Sequence, residues 1–272
     1  MIRLSAFADE ISGDLDEQVR VLKSENIHHL DLRGVWGTNV LDLTDRQVEE
    51  IARALEAESI GVAAIASPIG KVPIDHPFEE HLLRFERALA LARVFQTRFV
   101  RVFSFYARAR GADGDPAGRR EEVLARLHEM TARARAAGVV LLHENEREIY
   151  GDTIARCVDL MRSIDDPHFQ SVFDPANFIQ CRQTPHPDGY QALRRWLRCV
   201  HVKDARADGR VTVAGEGEAQ WPAIVRSLRR DGFDGFLSLE PHLSEAGRFR
   251  GFSGPDLFRH ASRTFRLLLS AG

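Results

Sequence analysis

Cysteine is scarce in this 272-residue chain, and the three present, Cys157, Cys181 and Cys199, form no CxxC pair. They are too few and too scattered for a disulfide framework. Cys199 falls in an apolar strand pattern and Cys157 in a helical one, so both read as small buried hydrophobes. Long apolar runs are missing as well. No stretch approaches the roughly 18 residues a membrane helix needs, and the opening MIRLSAFADE lacks the apolar stretch of a signal peptide. The expectation is a cytoplasmic protein with no membrane partner. Neither sign of charge dominates: 37 Lys and Arg stand against 40 Asp and Glu, a formal net charge of −3. No global basic field exists to draw in a phosphate backbone, so a nucleic-acid partner is not expected. Several motifs are also absent. No GxGxxG follows the first strand pattern, where AFADEIS stands instead. There is no GxSxG, and Lys71 is followed by Val72, which breaks GxxxxGK[ST].

What remains is an ordinary globular composition, 44% hydrophobic and 28% charged, with enough chain to bury a substantial core. Short apolar runs predict eight strands: Ile2–Phe7, His28–Arg33, Gly61–Ser67, Arg98–Ser104, Val139–Asn145, Gln170–Asp174, Cys199–Asp204 and Gly235–Glu240. Helical spacing predicts helices between them. Asp14–Glu25 places Leu15, Val19 and Leu22 on one stripe, and Thr44 with Gln47 forms a capping-box pattern ahead of Val48, Ile51 and Leu55. Further helices are expected over Phe78–Phe95, Arg119–Ala137, Asp152–Ile164, Gly189–Leu197, Trp221–Asp231 and Pro255–Leu269. Gly111–Gly118 reads as a long loop. Strict alternation argues for one α/β domain over residues 1–272, a single (β/α)8 TIM barrel.

Four of the strand patterns end in a residue suited to chemistry: Glu144 in VVLLHEN, Asp174 in QSVFDPAN, His201 in CVHVKD and Glu240 in FLSLEPH. One charged strand end is commonplace beside a helix N-terminus. Four on consecutive parallel strands converge on one rim, where barrel enzymes keep their sites. Three carboxylates and an imidazole form a hard donor set for one divalent metal ion, Mn²⁺ or Mg²⁺ first, with Co²⁺ or Zn²⁺ also suited.

These stretches resemble a known family. LLHENE, VFDPAN, VHVKDA and the run VAGEGEAQWPAIVRSLRRDGFDGFLSLEPH are similar to the sugar phosphate isomerase/epimerase group of xylose isomerase-like TIM barrels. The resemblance spans essentially the whole chain. It implies Glu144, Asp174, His201 and Glu240 as metal ligands, with Glu144 and Glu240 shuttling protons. It also implies a small carbohydrate substrate and a homodimer or homotetramer. The chemistry suits the residues. Removing a proton beside a carbonyl makes an enediolate, whose charge a divalent ion offsets. Carboxylates on opposite faces remove and return the proton. Return to the adjacent carbon isomerises, return from the opposite face epimerises, and loss of a β leaving group eliminates. The expected function is therefore a metal-dependent carbohydrate isomerase or epimerase. The alternative is a lyase, inosose dehydratase-like or a 3-keto-glycoside eliminase. An AP endonuclease-like nuclease and a non-catalytic sugar-binding protein are more remote.

Substrate-binding candidates surround this set. Lys203 shares the strand face of His201, and its options are a substrate oxygen or an interior ion pair. Asn177 stands where several sugar epimerases have a histidine, a departure that weakens direct transfer of their substrates. His143 alternates away from Glu144 along its strand, which favours a packed histidine. Arg33, Trp36 and Lys71 lie in loops after strands two and three, with binding and structural roles both open. His242 follows Glu240 by two, and Glu216 lies in a Gly-rich loop. Asp204 is expected to orient Lys203 or a loop, and Glu146 and Glu148 read as helix-start charges.

Overall fold

The structure, a computed structural model, describes residues 1–107, 116–243 and 253–271. Short, mostly apolar runs form eight strands: β1 (Ile2–Ala6), β2 (His29–Leu32), β3 (Gly61–Ile65), β4 (Phe99–Val102), β5 (Val140–Glu144), β6 (Phe169–Phe173), β7 (Leu197–Val202) and β8 (Gly235–Leu239). They pair in the order β1–β8–β7–β6–β5–β4–β3–β2. Every neighbouring pair is parallel, and a bridge from Phe7 to Asp31 brings β1 and β2 together. The result is the expected nearly closed barrel, with all carboxyl ends at one rim.

Local signals set the helices. In α1 (Leu15–Ser24), the Asp14 side chain accepts from the Glu17 N–H at 2.9 Å. In α2 (Asp45–Ala57), the Thr44–Gln47 capping box forms as expected, satisfying end donors the helix cannot pair itself. Next come α3 (Phe78–Val94), α4 (Arg120–Ala136) and α5 (Ile154–Ile164). After β6 the chain departs from the expected alternation. A short α6 (Pro175–Gln180) starts directly at Asp174, whose side chain caps it, with Pro175 fixing the first turn. The expected helix Gly189–Leu197 is only α7 (Tyr190–Leu193), flanked by tighter and wider turns at Arg194–Trp196 and Pro185–Gly189. Beyond it are α8 (Trp221–Arg230) and α9 (Pro255–Ala271). Residues 111–115 of the expected Gly111–Gly118 loop lie outside the described residues. No described helix is long and apolar enough to cross a membrane.

The main core lies between barrel and helices, where Trp221 and Phe265 meet edge to face with ring centroids 5.1 Å apart. Such an aromatic pair adds roughly 0.5–1.5 kcal/mol beyond its buried area. A smaller apolar cluster of Ala63, Val140, Leu142, Val172, Cys199 and Phe236 plugs the barrel interior near the strand starts. Above it, Ser5 donates to Asp31 at 2.7 Å and lies 2.6 Å from the Ser238 hydroxyl. Above this plug, inward positions thus change from polar to charged as the strands run toward the rim.

Candidate metal centre and active site

Glu144 is the last residue of β5, His201 lies in β7, and Asp174 and Glu240 stand one residue beyond β6 and β8. One ligand atom from each falls within 4.8 Å of all the others. The His201 Nδ1 is 3.2 Å from Glu144 Oε1, 3.3 Å from Glu240 Oε2 and 3.8 Å from Asp174 Oδ2. All four residues are at most 3% exposed, so water cannot compensate their charge and the site itself must.

Fixed backbone groups hold the carboxylates in place. Asp174 Oδ1 accepts the Asn177 N–H at 2.9 Å, which leaves Oδ2 facing the cluster. The Asn145 amide pairs with the backbone of Asp174 in both directions at 2.9 Å. Asn177 Nδ2 donates to Glu144 Oε1 at 3.2 Å and to the Asn145 carbonyl at 2.9 Å. An amide at position 177 therefore positions a carboxylate of the cluster.

Three cations face the carboxylates. Arg101 Nη1 is 3.1 Å from Glu144 Oε2 and 4.0 Å from Glu240 Oε1, and its Nη2 donates to the Ala66 carbonyl at 3.0 Å. Arg33 meets Asp9, Glu10 and Glu240, each at 2.7 Å. Lys203 Nζ lies 2.7 Å from Asp174 Oδ2 and 3.4 Å from Glu240 Oε2. Both guanidinium groups also stand over the Phe7 ring, at 4.7 Å for Arg33 and 5.1 Å for Arg101.

These fields decide protonation. Burial pushes the Glu144 carboxyl up, but the His201 and Arg101 charges outweigh it and hold the group far below the usual carboxylate range. Burial likewise opposes ionisation of Glu240, yet Lys203, His242 and His201 keep it well below its ordinary value. Burial disfavours the His201 cation, but Glu144 and Asp174 raise it well above an ordinary histidine. Burial also opposes the Lys203 charge, and Asp174 with Glu240 raises it regardless. Without a metal, the proton on His201 supplies part of the missing positive charge.

The residues fit a divalent ion. His201 Nδ1 is buried and makes no hydrogen bond, and it lies 3.8 Å from the buried Asp174 Oδ2, whose one close partner is the Lys203 ammonium, which leaves two donor atoms aimed at the same small space. Three carboxylates and an imidazole suit a hard or borderline divalent cation. Binding would displace the His201 proton, and the ion would share Asp174 with the Lys203 ammonium.

The other expected site residues divide. Lys203, Asn177, Arg33 and His242 join the cluster. His242 Nδ1 is 3.1 Å from Glu10 Oε1 and 3.9 Å from Glu240 Oε1. All three Arg33 nitrogens are taken by carboxylates, so this cation neutralises the rim and does not stand free for an anion. Lys71 Nζ pairs with Glu146 at 2.8 Å and lies 4.3 Å from the Phe103 ring centroid. Glu146 is therefore a loop partner and not the helix-start charge expected. His81 holds that loop, since its Nε2 accepts the Gly70 N–H at 3.1 Å. Trp36 occupies the tip of a two-residue hairpin between Gly34–Val35 and Thr38–Asn39, where Trp36 and Gly37 both take positive φ. His143 is not brought to the cluster. It turns away as alternation requires and lies 3.0 Å from the Ser104 hydroxyl. Glu216 is exposed and accepts from Thr212 at 3.2 Å. Asp204 holds the Gly-rich loop, accepting N–H groups from Gly215 at 3.0 Å, Gly217 at 3.1 Å and Ala219 at 3.0 Å. Only glycine fits at 217, because a Cβ would fall 2.3 Å from Asp204 Oδ1.

Sequence reading missed Arg101, Asp9, Glu10, Asn145 and Phe7. Arg101 carried a usable signal: an arginine inside the apolar run FVRVF, at an inward alternate position, must meet a buried anion. Asp9 and Glu10 follow directly on the first strand, and that position alone puts them at the rim.

Comparison with known proteins extends this picture. The profile of the xylose isomerase-like TIM barrel family matches residues 25–267. No curated protein matches by sequence. Solved structures do match in fold. A probable 3-DHS dehydratase involved in petrobactin synthesis from Bacillus anthracis is 18% identical over 97% of this chain and 98% of its own, with a TM-score of 0.76. D-psicose 3-epimerase from Clostridium cellulolyticum H10, solved with D-tagatose, is 13% identical over 98% and 99%, with a TM-score of 0.77. A xylose isomerase-like TIM barrel protein from Mycobacterium smegmatis, in complex with magnesium, is 18% identical over 99% and 97%, with a TM-score of 0.74.

Proposed function

This chain belongs to the xylose isomerase-like TIM barrel family, and from that premise we propose that it is a divalent-metal-dependent isomerase or epimerase of a carbohydrate or carbohydrate derivative. The observation that carries the reading is the convergence of Glu144, Asp174, His201 and Glu240 within 4.8 Å. A divalent ion held by these four residues would supply positive charge to offset the anion that develops on substrate oxygens. The chain's own groups do the remaining work. Glu144 and Glu240 reach the centre from β5 and beyond β8. Both are held ionised by neighbouring cations, so each is ready to accept a proton from carbon. One takes the proton beside the carbonyl, and the other, after taking up a proton from water, delivers that proton to carbon. Asn177 and Arg101 hold Glu144 in one orientation, while Arg33 and Lys203 do the same for Glu240. Preset groups of this kind spend little energy on reorganisation when charge moves.

A lyase on the same scaffold is the second reading, and Lys203 favours it. Its ammonium sits among the ligands and would donate a proton to a departing oxygen, a step that proton transfer alone does not require. The dehydratase among the fold neighbours is consistent with this.

Proton NMR in D₂O separates the readings. Metal-loaded protein is incubated with a panel of ketoses, inososes and 3-keto-glycosides. Deuterium entering the carbon beside the carbonyl, with an isomer formed, is the expected result. Loss of a hydroxyl or aglycone would move the assignment to lyase. No exchange across the panel would count against both.

A further inference from the structure

A cavity of about 1050 Å³ opens at the other end of the barrel, where the strands begin. The proposed chemistry makes no use of it. Strands of about five residues at roughly 3.3 Å each put it some 15 Å or more from the carboxylates. Ala63, Val140 and Phe236, part of the apolar plug, line its floor. Arg3, Arg98 and Arg198 stand around it, each placed by the first residues of β1, β4 or β7 or by the residue just before.

The charges at this mouth are unbalanced. Of its two carboxylates, Asp234 is already 2.8 Å from the Met1 amino group and 3.9 Å from Arg3, which leaves Glu56. Neither Arg98 nor Arg198 makes an ion pair among the described residues. Arg198 donates to the Leu197 carbonyl at 2.8 Å, and Arg98 lies 5.6 Å from the Phe99 ring centroid. Burial and the facing Arg98 charge both push Arg198 below the usual guanidinium value. His29, tilted against Phe236 at 5.1 Å, is lowered by burial and by Arg3, so it stays a neutral hydrogen-bonding ring. Arg98 and Arg198 line one mouth above an apolar floor and have no carboxylate partner among the described residues, so together they offer donors to an anion.

We propose that this mouth binds the phosphoryl group of a small molecule through Arg98 and Arg198. The test is calorimetric titration of inorganic phosphate and of pyrophosphate into the purified full chain at constant ionic strength. The expected result is one site per chain. Affinity should be at least about tenfold weaker in the Arg98→Ser/Arg198→Ser double variant, whose circular dichroism is unchanged. Glu240→Gln, at the far rim, should leave the affinity as it is. Tighter pyrophosphate than phosphate binding would assign a diphosphate, and equal affinity a single phosphoryl group. Absence of binding at millimolar anion, or equal affinity in wild type and double variant, would overturn the proposal. Arg98→Ser alone, on an exposed side chain, keeps the test open if the double variant fails to fold.

Discussion

Strands β5 to β8 lead to Glu144, Asp174, His201 and Glu240, whereas the other half of the barrel sends Arg33 and Arg101 to the same point. One half carries the donors for a cation, and the other carries cations that hold those donors ionised and aimed. The difference explains how so much buried charge coexists in one site. Four ligand residues at most 3% exposed would not stay ionised together without compensation. Arg33, Arg101 and Lys203 compensate in part, and a divalent ion would complete the balance. The donor half thus carries the ligands together with Lys203, Asn145 and Asn177 that hold them, and the arginine half adds two guanidinium groups that neutralise and orient.

The sharpest way to break this division is on the donor half. Glu144→Gln or Glu240→Gln removes a proton acceptor but keeps the shape of the side chain. Turnover should fall by about 10²–10⁴, while thermal unfolding stays cooperative. Wild-type rates in either variant would remove that residue from proton transfer.

The next effect falls on the arginine half. Arg101→Leu leaves Glu144 buried without its guanidinium partner, a change that costs roughly 3–5 kcal/mol when nothing replaces it. Urea unfolding with chelator present should show a loss of that order, and saturating Mn²⁺ should recover more stability in the variant than in wild type. Equal losses with and without metal would mean that arginine and metal do not share one charge balance.

Much of the contrast was legible in the sequence, for reasons that differ between the halves. The donors are local signals: each is an ionisable residue ending an apolar run, and parallel strands do the rest. Thr44 and Gln47 also act within one turn, so their capping box was readable. The arginine partners are non-local. Arg33 and Glu240 are 207 residues apart, and no pattern in either segment announces the other. Arg33 was therefore visible as a rim residue but not as a neutraliser. The short α6 escaped because its six residues are too few to show a helical period, although Asp174 before Pro175 was a cap signal. At Asn177 the departure from a histidine was visible, while its bond to Glu144 required the fold.

The smallest expected effect concerns the loop that carries Lys71. His81 accepts from the Gly70 N–H, which requires a neutral ring, and burial lowers it to about 4 from an ordinary 6.5. The unfolded chain therefore takes up this proton first as pH falls. The stabilisation is complete above pH 6.5 and is lost progressively down to about pH 4, at up to roughly 1.4 kcal/mol per pH unit for this partly screened group. His81→Gln should flatten the fall of the unfolding midpoint across that window. An unchanged slope would show that His81 does not titrate on unfolding.

The central claim is tested most directly by counting metal. Purified protein, stripped and reloaded with Mn²⁺, is desalted and its bound metal measured in wild type, Asp174→Ala and His201→Ala. The account predicts one ion per chain in wild type and a marked loss in both variants, with the fold intact by circular dichroism. Undiminished metal in the variants, or none in wild type, would contradict the assignment of these four residues to a metal centre.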